Sequence, residues 1–205
     1  KNTTVLNQKT LDMMLDKKVV SYKTANELYK KGKINFDGIE KPQIPGCTRI
    51  LIKSPDVISF DLKPEMSAYE VTDRLLEALN EHNLDVVILN FANCDMVGHT
   101  AVENAVVKAV EDIDTCCGRL IKWAEDNDAV LMITADHGNA EMVIDDEGKP
   151  YTAHTTNPVP YSINIPGAVL RKDGKLSNIA PTIISLLGEK VPEEMTEPSM
   201  ILEVK

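Results

Sequence analysis

No apolar run in these 205 residues approaches the roughly 20 needed to span a bilayer, and residues 1–8 lack the short apolar core of a secretion signal. Blocks of positive charge are missing as well. Only 22 Lys and Arg stand against 32 Asp and Glu, a formal charge of −10, which argues against a nucleic-acid or anionic-membrane partner. Cysteine is scarce and unpatterned: Cys47, Cys94, Cys116 and Cys117 show no CxxC spacing, so a reducing cytoplasm fits better than a disulfide framework or a zinc-thiolate site. Aromatic residues make up only 4%, but 43% apolar and 26% charged residues describe an ordinary soluble globular protein and exclude disorder, collagen and coiled coil. The length suits one large domain, or one domain with an appendage, with enough chain for a core and a cleft. Any anionic substrate would need a local positive source. The start at Lys1 rather than Met is expected of a piece of a longer chain.

Residues 1–33 are lysine-rich and weakly periodic, with helices expected over residues 7–17 and 22–31 and a stop at Gly32. A loop rich in turn residues follows, through Asp37-Gly38, Lys41-Pro42 and Pro45-Gly46, and a boundary near residue 46 separates an appendage or linker (1–45) from the main domain (46–205). In that domain Val71, Leu75, Leu76 and Leu79 recur at helical spacing over residues 68–80, with Ser67 as the expected N-cap. Residues 85–91 (DVVILNF) read as a buried parallel strand, and residues 102–123 as a helix of about six turns. Residues 129–134 and 160–165 read as further strands, and Ser177 is expected to cap a last helix that stops at Gly188. This alternation predicts an α/β fold with an open, mostly parallel sheet and helices on both faces, whose ligands sit at the carboxyl ends of the strands.

Both central strands end in acidic and imidazole groups. After the first comes Asn93-Cys94-Asp95-Met96-Val97-Gly98-His99; after the second, Ala135-Asp136-His137-Gly138-Asn139; a third segment holds His154. Three of the four histidines fall in these segments, and the fourth, His82, reads as solvated surface. Asp95 and His99 are four apart, so one helical turn puts a carboxylate and an imidazole on one face. Asp136 and His137 are adjacent, and in extended chain they would point to opposite sides and serve two ions. One Asp-His pair in a turn is more often a hydrogen-bonding pair than a ligand pair, but three such segments together favour a metal site. Carboxylate and imidazole donors suit Mn²⁺, Zn²⁺ or Fe²⁺, with Cys94 not needed. A two-metal site would also reverse the local sign of an acidic protein and let it hold a phosphate. Cys116-Cys117 read as packing on the long helix.

Residues 93–100 (NCDMVGHT), 134–141 (TADHGNAE) and 152–160 (TAHTTNPVP), preceded by 61–73 (DLKPEMSAYEVTD), resemble the signature segments of the 2,3-bisphosphoglycerate-independent phosphoglycerate mutases of the alkaline phosphatase superfamily. The resemblance covers about residues 44–160 and continues loosely to the C-terminus. It implies an alkaline-phosphatase-like fold, here incomplete at the N-terminus, and interconversion of 3- and 2-phosphoglycerate through a phosphoserine intermediate. It also implies two Mn²⁺, with Zn²⁺, Co²⁺ or Fe²⁺ as alternatives: Asp95, His99 and His154 would bind one ion, Asp136 and His137 the other.

The departures are equally specific. Nothing in residues 1–53 resembles the family's N-terminal aspartate strand or its nucleophile loop, so the catalytic serine is expected to be absent from this chain. The inserted substrate-binding domain is missing, and only Arg49, Arg74, Arg119 and Arg171 are present. The family's SPK reads Ser54-Pro55-Asp56 here, with Lys53 displaced by three. The expectation is therefore a portion carrying most metal ligands, inactive alone and completed by the missing N-terminal part of the same enzyme. Thr134, Thr155 and Thr156 are expected to orient His137 and His154. The alternatives are an inactive metal-binding or interaction module and another phosphomutase of the same superfamily.

Overall fold

Helix α1, Ala68–Glu81, forms where the apolar period predicts it, and it packs against α3, Glu103–Asp126. In this computed structural model residues 47, 48 and 50–205 are described, and the helices expected over 7–17 and 22–31 lie outside them. Ser67 does not cap α1 with its side chain; its hydroxyl donates instead to the Lys53 carbonyl at 2.7 Å, tying the helix start to the incoming chain. The buried stripe of α3 is Ala105, Val106, Ala109, Asp112, Cys116, Leu120 and Ala124. Val102, Val110 and Ile121 lie off that stripe and are exposed. Asp112 sits in that stripe at 2% exposure, accepting the Tyr69 hydroxyl at 2.6 Å and Lys108 Nζ at 2.5 Å. Arg119 to Asp73 and Trp123 Nε1 to Asn80 close the same helix pair at its edge.

Between these helices lies α2, Asn93–Gly98, a single short helix. Its Val97 is fully buried in a core with Met66, Ala105, Val106 and Ala109, flanked by Phe60, Met96, Ala140 and Val143. Asn93, also buried, donates to the Pro64 carbonyl at 2.8 Å. The short helix is thus fixed from below by packing and at its start by a hydrogen bond.

Strand β1, Met132–Thr134, pairs antiparallel with β2, Tyr161–Ile163. Both are shorter than expected because Asn164 takes over the ladder: its Oδ1 accepts from Leu131 N–H at 2.8 Å and its Nδ2 donates to the Ala129 carbonyl at 2.9 Å. Strand β3, Ala168–Leu170, pairs antiparallel with β4, Ile201–Val204, across a bulge between Val169 and Leu170. Between β3 and β4 lies α4, Ile179–Leu186. A 3₁₀ turn, Leu176–Asn178, precedes it, so Ser177 lies inside that turn, and the buried Asn178 side chain makes the local bonds instead. The expected stop at Gly188 is a Schellman end: Gly188 has φ +76°, its N–H donates to Ser185 O, and Glu189 N–H donates to Ile184 O.

The α/β class stands, but the described strands contain no parallel pair. The strand expected over residues 85–91 does not form: Ile88 is 87% exposed, and Val86 and Val87 are exposed as well. A β-branched run becomes a strand only when a neighbour takes its N–H and C=O groups, and among the described residues none does. No described helix is long and apolar enough to cross a membrane.

Candidate metal centre

Asp95 lies in the first turn of α2 and His99 at its C-cap, and the His99 N–H donates to the Asp95 carbonyl at 3.0 Å. One turn therefore brings Asp95 Oδ1 and His99 Nε2 to 3.1 Å. The third donor arrives from the β1–β2 connection. There the chain turns back on itself through Asp145, whose carboxylate accepts the N–H groups of Glu147 and Lys149, and through Gly148 at φ +79°. Ile144 pairs with Pro150, and the returning segment runs past α2. Two contacts result. The Thr152 carbonyl meets His99 Nδ1 at 2.7 Å, and His154 Nε2 comes to 3.0 Å from Asp95 Oδ1 and 3.1 Å from His99 Nε2.

The donor set suits a divalent transition metal. A cation bound at about 2.0–2.2 Å to tetrahedral nitrogen and oxygen donors spaces them by roughly 3.3–3.6 Å, a little wider than the 3.0–3.1 Å among Asp95, His99 and His154. The Thr152 carbonyl takes the Nδ1 proton of His99, which leaves the Nε2 lone pair facing the other two donors. Asn139 performs the same service for the carboxylate, its Nδ2 donating to Asp95 Oδ1 at 2.7 Å and to the Asp95 carbonyl at 3.2 Å. Burial pushes the Cys94 thiol up, which keeps it protonated and unsuited as a ligand.

The model of the Metalloenzyme superfamily matches residues 2–191. The chain belongs to that superfamily. Among known proteins, this superfamily member is 50% identical over 169 residues to the 2,3-bisphosphoglycerate-independent phosphoglycerate mutase of Acetivibrio thermocellus, covering 82% of this chain and 33% of that protein. It is 52% identical over 166 residues to the protein of the same name from Clostridium botulinum, covering 80% and 32%. A crystal structure of Leishmania mexicana phosphoglycerate mutase at low cobalt concentration matches with TM-score 0.67 and 35% identity, over 75% of this chain and 31% of that one. The chain thus spans about a third of the length of the curated relatives it matches.

The candidate site is less complete at Asp136 and His137. The chain bends there instead of running extended, so the two side chains do not point to opposite sides: His137 Nε2 lies 3.7 Å from Asp136 Oδ1 and 3.9 Å from Asp95 Oδ1. Asp95 Oδ1 therefore faces all three imidazoles, and the His137 ring stacks on that of His154 with centroids 3.7 Å apart. The Asp136 side chain is 85% exposed. Among the described residues only Asp95, His99 and His154 gather as a group of three donors.

One expectation is not met by direct contact. Thr134 donates to the Pro160 carbonyl at 2.9 Å and Thr155 to Glu141, so neither hydroxyl bonds directly to an imidazole, and Thr156 makes no side-chain hydrogen bond among the described residues. The strand backbone and a nearby carboxylate are better placed to take those protons. Asn139 and Glu141, which sequence reasoning passed over, make the supporting contacts instead; the one available signal was that both lie within residues 134–141. His82 is exposed and Cys116 fully buried, as expected.

Proposed function

We propose that this chain is the metal-binding portion of a 2,3-bisphosphoglycerate-independent phosphoglycerate mutase, a cytoplasmic isomerase of glycolysis that interconverts 3- and 2-phosphoglycerate. The observation that carries this reading is the convergence of Asp95 Oδ1, His99 Nε2 and His154 Nε2 to 3.0–3.1 Å in a chain about half identical to proteins of that name. Asp95, His99 and His154 hold one Mn²⁺, and Asp136 and His137 contribute to a second. Ions bound there supply Lewis-acid stabilisation of a phosphoryl oxygen and offset the acidic charge of the chain. The protein's part is orientation: the Thr152 carbonyl keeps the His99 proton away from the site, and Asn139 holds the carboxylate between the imidazoles.

Nucleophile and substrate grip are assigned to the portion of the relatives' length that this chain does not cover. Ser59 and Ser67 donate to Asp61 and to the Lys53 carbonyl, and among the described residues no serine hydroxyl bonds to a proposed ligand. The described arginines are engaged elsewhere, Arg74 with Glu77, Arg119 with Asp73 and Arg171 with the Ser199 carbonyl. The exposed apolar run at Val86, Val87 and Ile88 supports a partner portion, since it presents strand-forming residues with no strand beside them. The test is interconversion of 3- and 2-phosphoglycerate with Mn²⁺ present. The chain alone is expected to show none, and the chain mixed with the remaining portion of the enzyme is expected to recover it. Turnover by the chain alone at an ordinary ~1–10³ s⁻¹ would refute the assignment of the nucleophile elsewhere. A mixture that binds Mn²⁺ but stays inactive would favour an inactive metal-binding module.

A further inference from the structure

Glu141 lies four residues beyond His137 and hydrogen-bonds to none of the five proposed ligands, yet its carboxylate gathers three donors from two loops. Oε2 accepts the Asn139 backbone N–H at 2.7 Å; Oε1 accepts the Thr155 hydroxyl, and also Asn157 Nδ2 at 3.0 Å. The same loops touch once through the backbone, where the Thr155 N–H donates to the Gly138 carbonyl at 2.9 Å and the two residues form an antiparallel bridge. Gly138 directly follows His137, and Thr155 directly follows His154. The bridge therefore carries one proposed ligand on each side, and the two imidazoles stack above it at 3.7 Å.

A single backbone hydrogen bond would let the loops hinge. The carboxylate adds bonds on both sides, and charge-assisted hydrogen bonds are roughly twice as strong as neutral ones. Gly138 leaves the space this requires: a Cβ there would lie 2.2 Å from Thr155 Oγ1 and 2.4 Å from Glu141 Oε1. The donors, Thr155 foremost, hold the Glu141 carboxyl below the usual glutamate range, so it is the ionised group that accepts them.

We propose that Glu141 is a positioning residue that, through Thr155 and the Gly138 bridge, sets the spacing of His137 and His154 and so couples the two halves of the metal centre. The inference rests on the metal-centre reading above, and its test separates the two. The imidazole ¹H–¹³C signals of the metal-free 205-residue chain report the stacking directly, and Mn²⁺ titration by calorimetry reports its consequence. Glu141→Ala and Thr155→Val are each expected to shift the His137 and His154 ring signals, to leave those of His82 in place, and to weaken Mn²⁺ binding by about 10–100-fold. Thr155→Ser keeps the hydroxyl and is expected to retain wild-type signals and affinity. Because both single changes break one connection, the double variant is expected to lose no more than either alone. Should Glu141→Ala fail to fold, the contrast between Thr155→Val and Thr155→Ser decides. If the wild-type chain binds no Mn²⁺, the metal reading fails while the ring signals still decide whether Glu141 sets the spacing. Wild-type ring signals in Glu141→Ala and Thr155→Val, or fully additive losses in the double variant, would overturn the proposal.

Discussion

Gly98 faces the Asn139 side chain so closely that a Cβ there would lie 2.3 Å from Asn139 Oδ1. That amide holds Asp95 Oδ1 at 2.7 Å, and its own Oδ1 is buried with no partner among the described residues, so the contact has no slack. Gly98→Ala must displace Asn139, at a cost of about 1–3 kcal/mol for overpacking a filled site, and must loosen Asp95 with it. Thermal unfolding with and without saturating Mn²⁺ separates the two effects: the variant should melt lower without the ion and gain less from it, because the gain follows affinity. Gly118, on α3 with nothing within 4 Å of an added Cβ, is the control. Gly118→Ala should keep the full Mn²⁺ gain; an equal gain in Gly98→Ala would sink the argument. The convergence of Asp95, His99 and His154 was legible in the sequence because three Asp- and His-bearing segments stand together, where a single Asp-His pair would have read as structural. Asn139 and Glu141 were not, because their roles depend on contacts such as Asn139 to Asp95, 44 residues apart in the chain.

Helices proved more legible than strands for a reason internal to each. The α1 and α3 periods are local properties, and the structure places those helices within a few residues of expectation. A strand depends on its neighbour. Residues 85–91 carry every local mark of one and remain unpaired among the described residues, while β3 and β4, at three and four residues, were too short to show a period at all. The turn rule for Gly188 succeeded because a positive φ is a demand on one residue. The exposed run makes a direct prediction. With its side chain 87% exposed, Ile88→Ala should change the stability of this chain by less than about 0.5 kcal/mol in urea unfolding. A loss of about 2–5 kcal/mol, typical of a buried position, would mean that residues 85–91 are packed as a core strand after all.

At the scale of the whole molecule, cations held where the carboxylates and imidazoles converge would reverse the local sign of a chain of net charge −10. The segments that build this place, α2 and the connection from β1 to β2, come from distant parts of the chain and meet over the apolar core around Val97. The family was legible from three short segments, whereas the share of its relatives' length that this chain spans, about a third, became measurable only from those relatives. The most direct test is calorimetric titration of the chain with Mn²⁺, repeated on His154→Ala. Three converging donors should bind one ion distinctly more tightly than the Asp136 and His137 pair binds any other. His154→Ala should weaken that tight step by more than ~100-fold, beyond what loss of a supporting group costs. Two equal steps in the wild-type chain, or a tight step that survives in His154→Ala, would contradict the assignment of Asp95, His99 and His154 as the metal site.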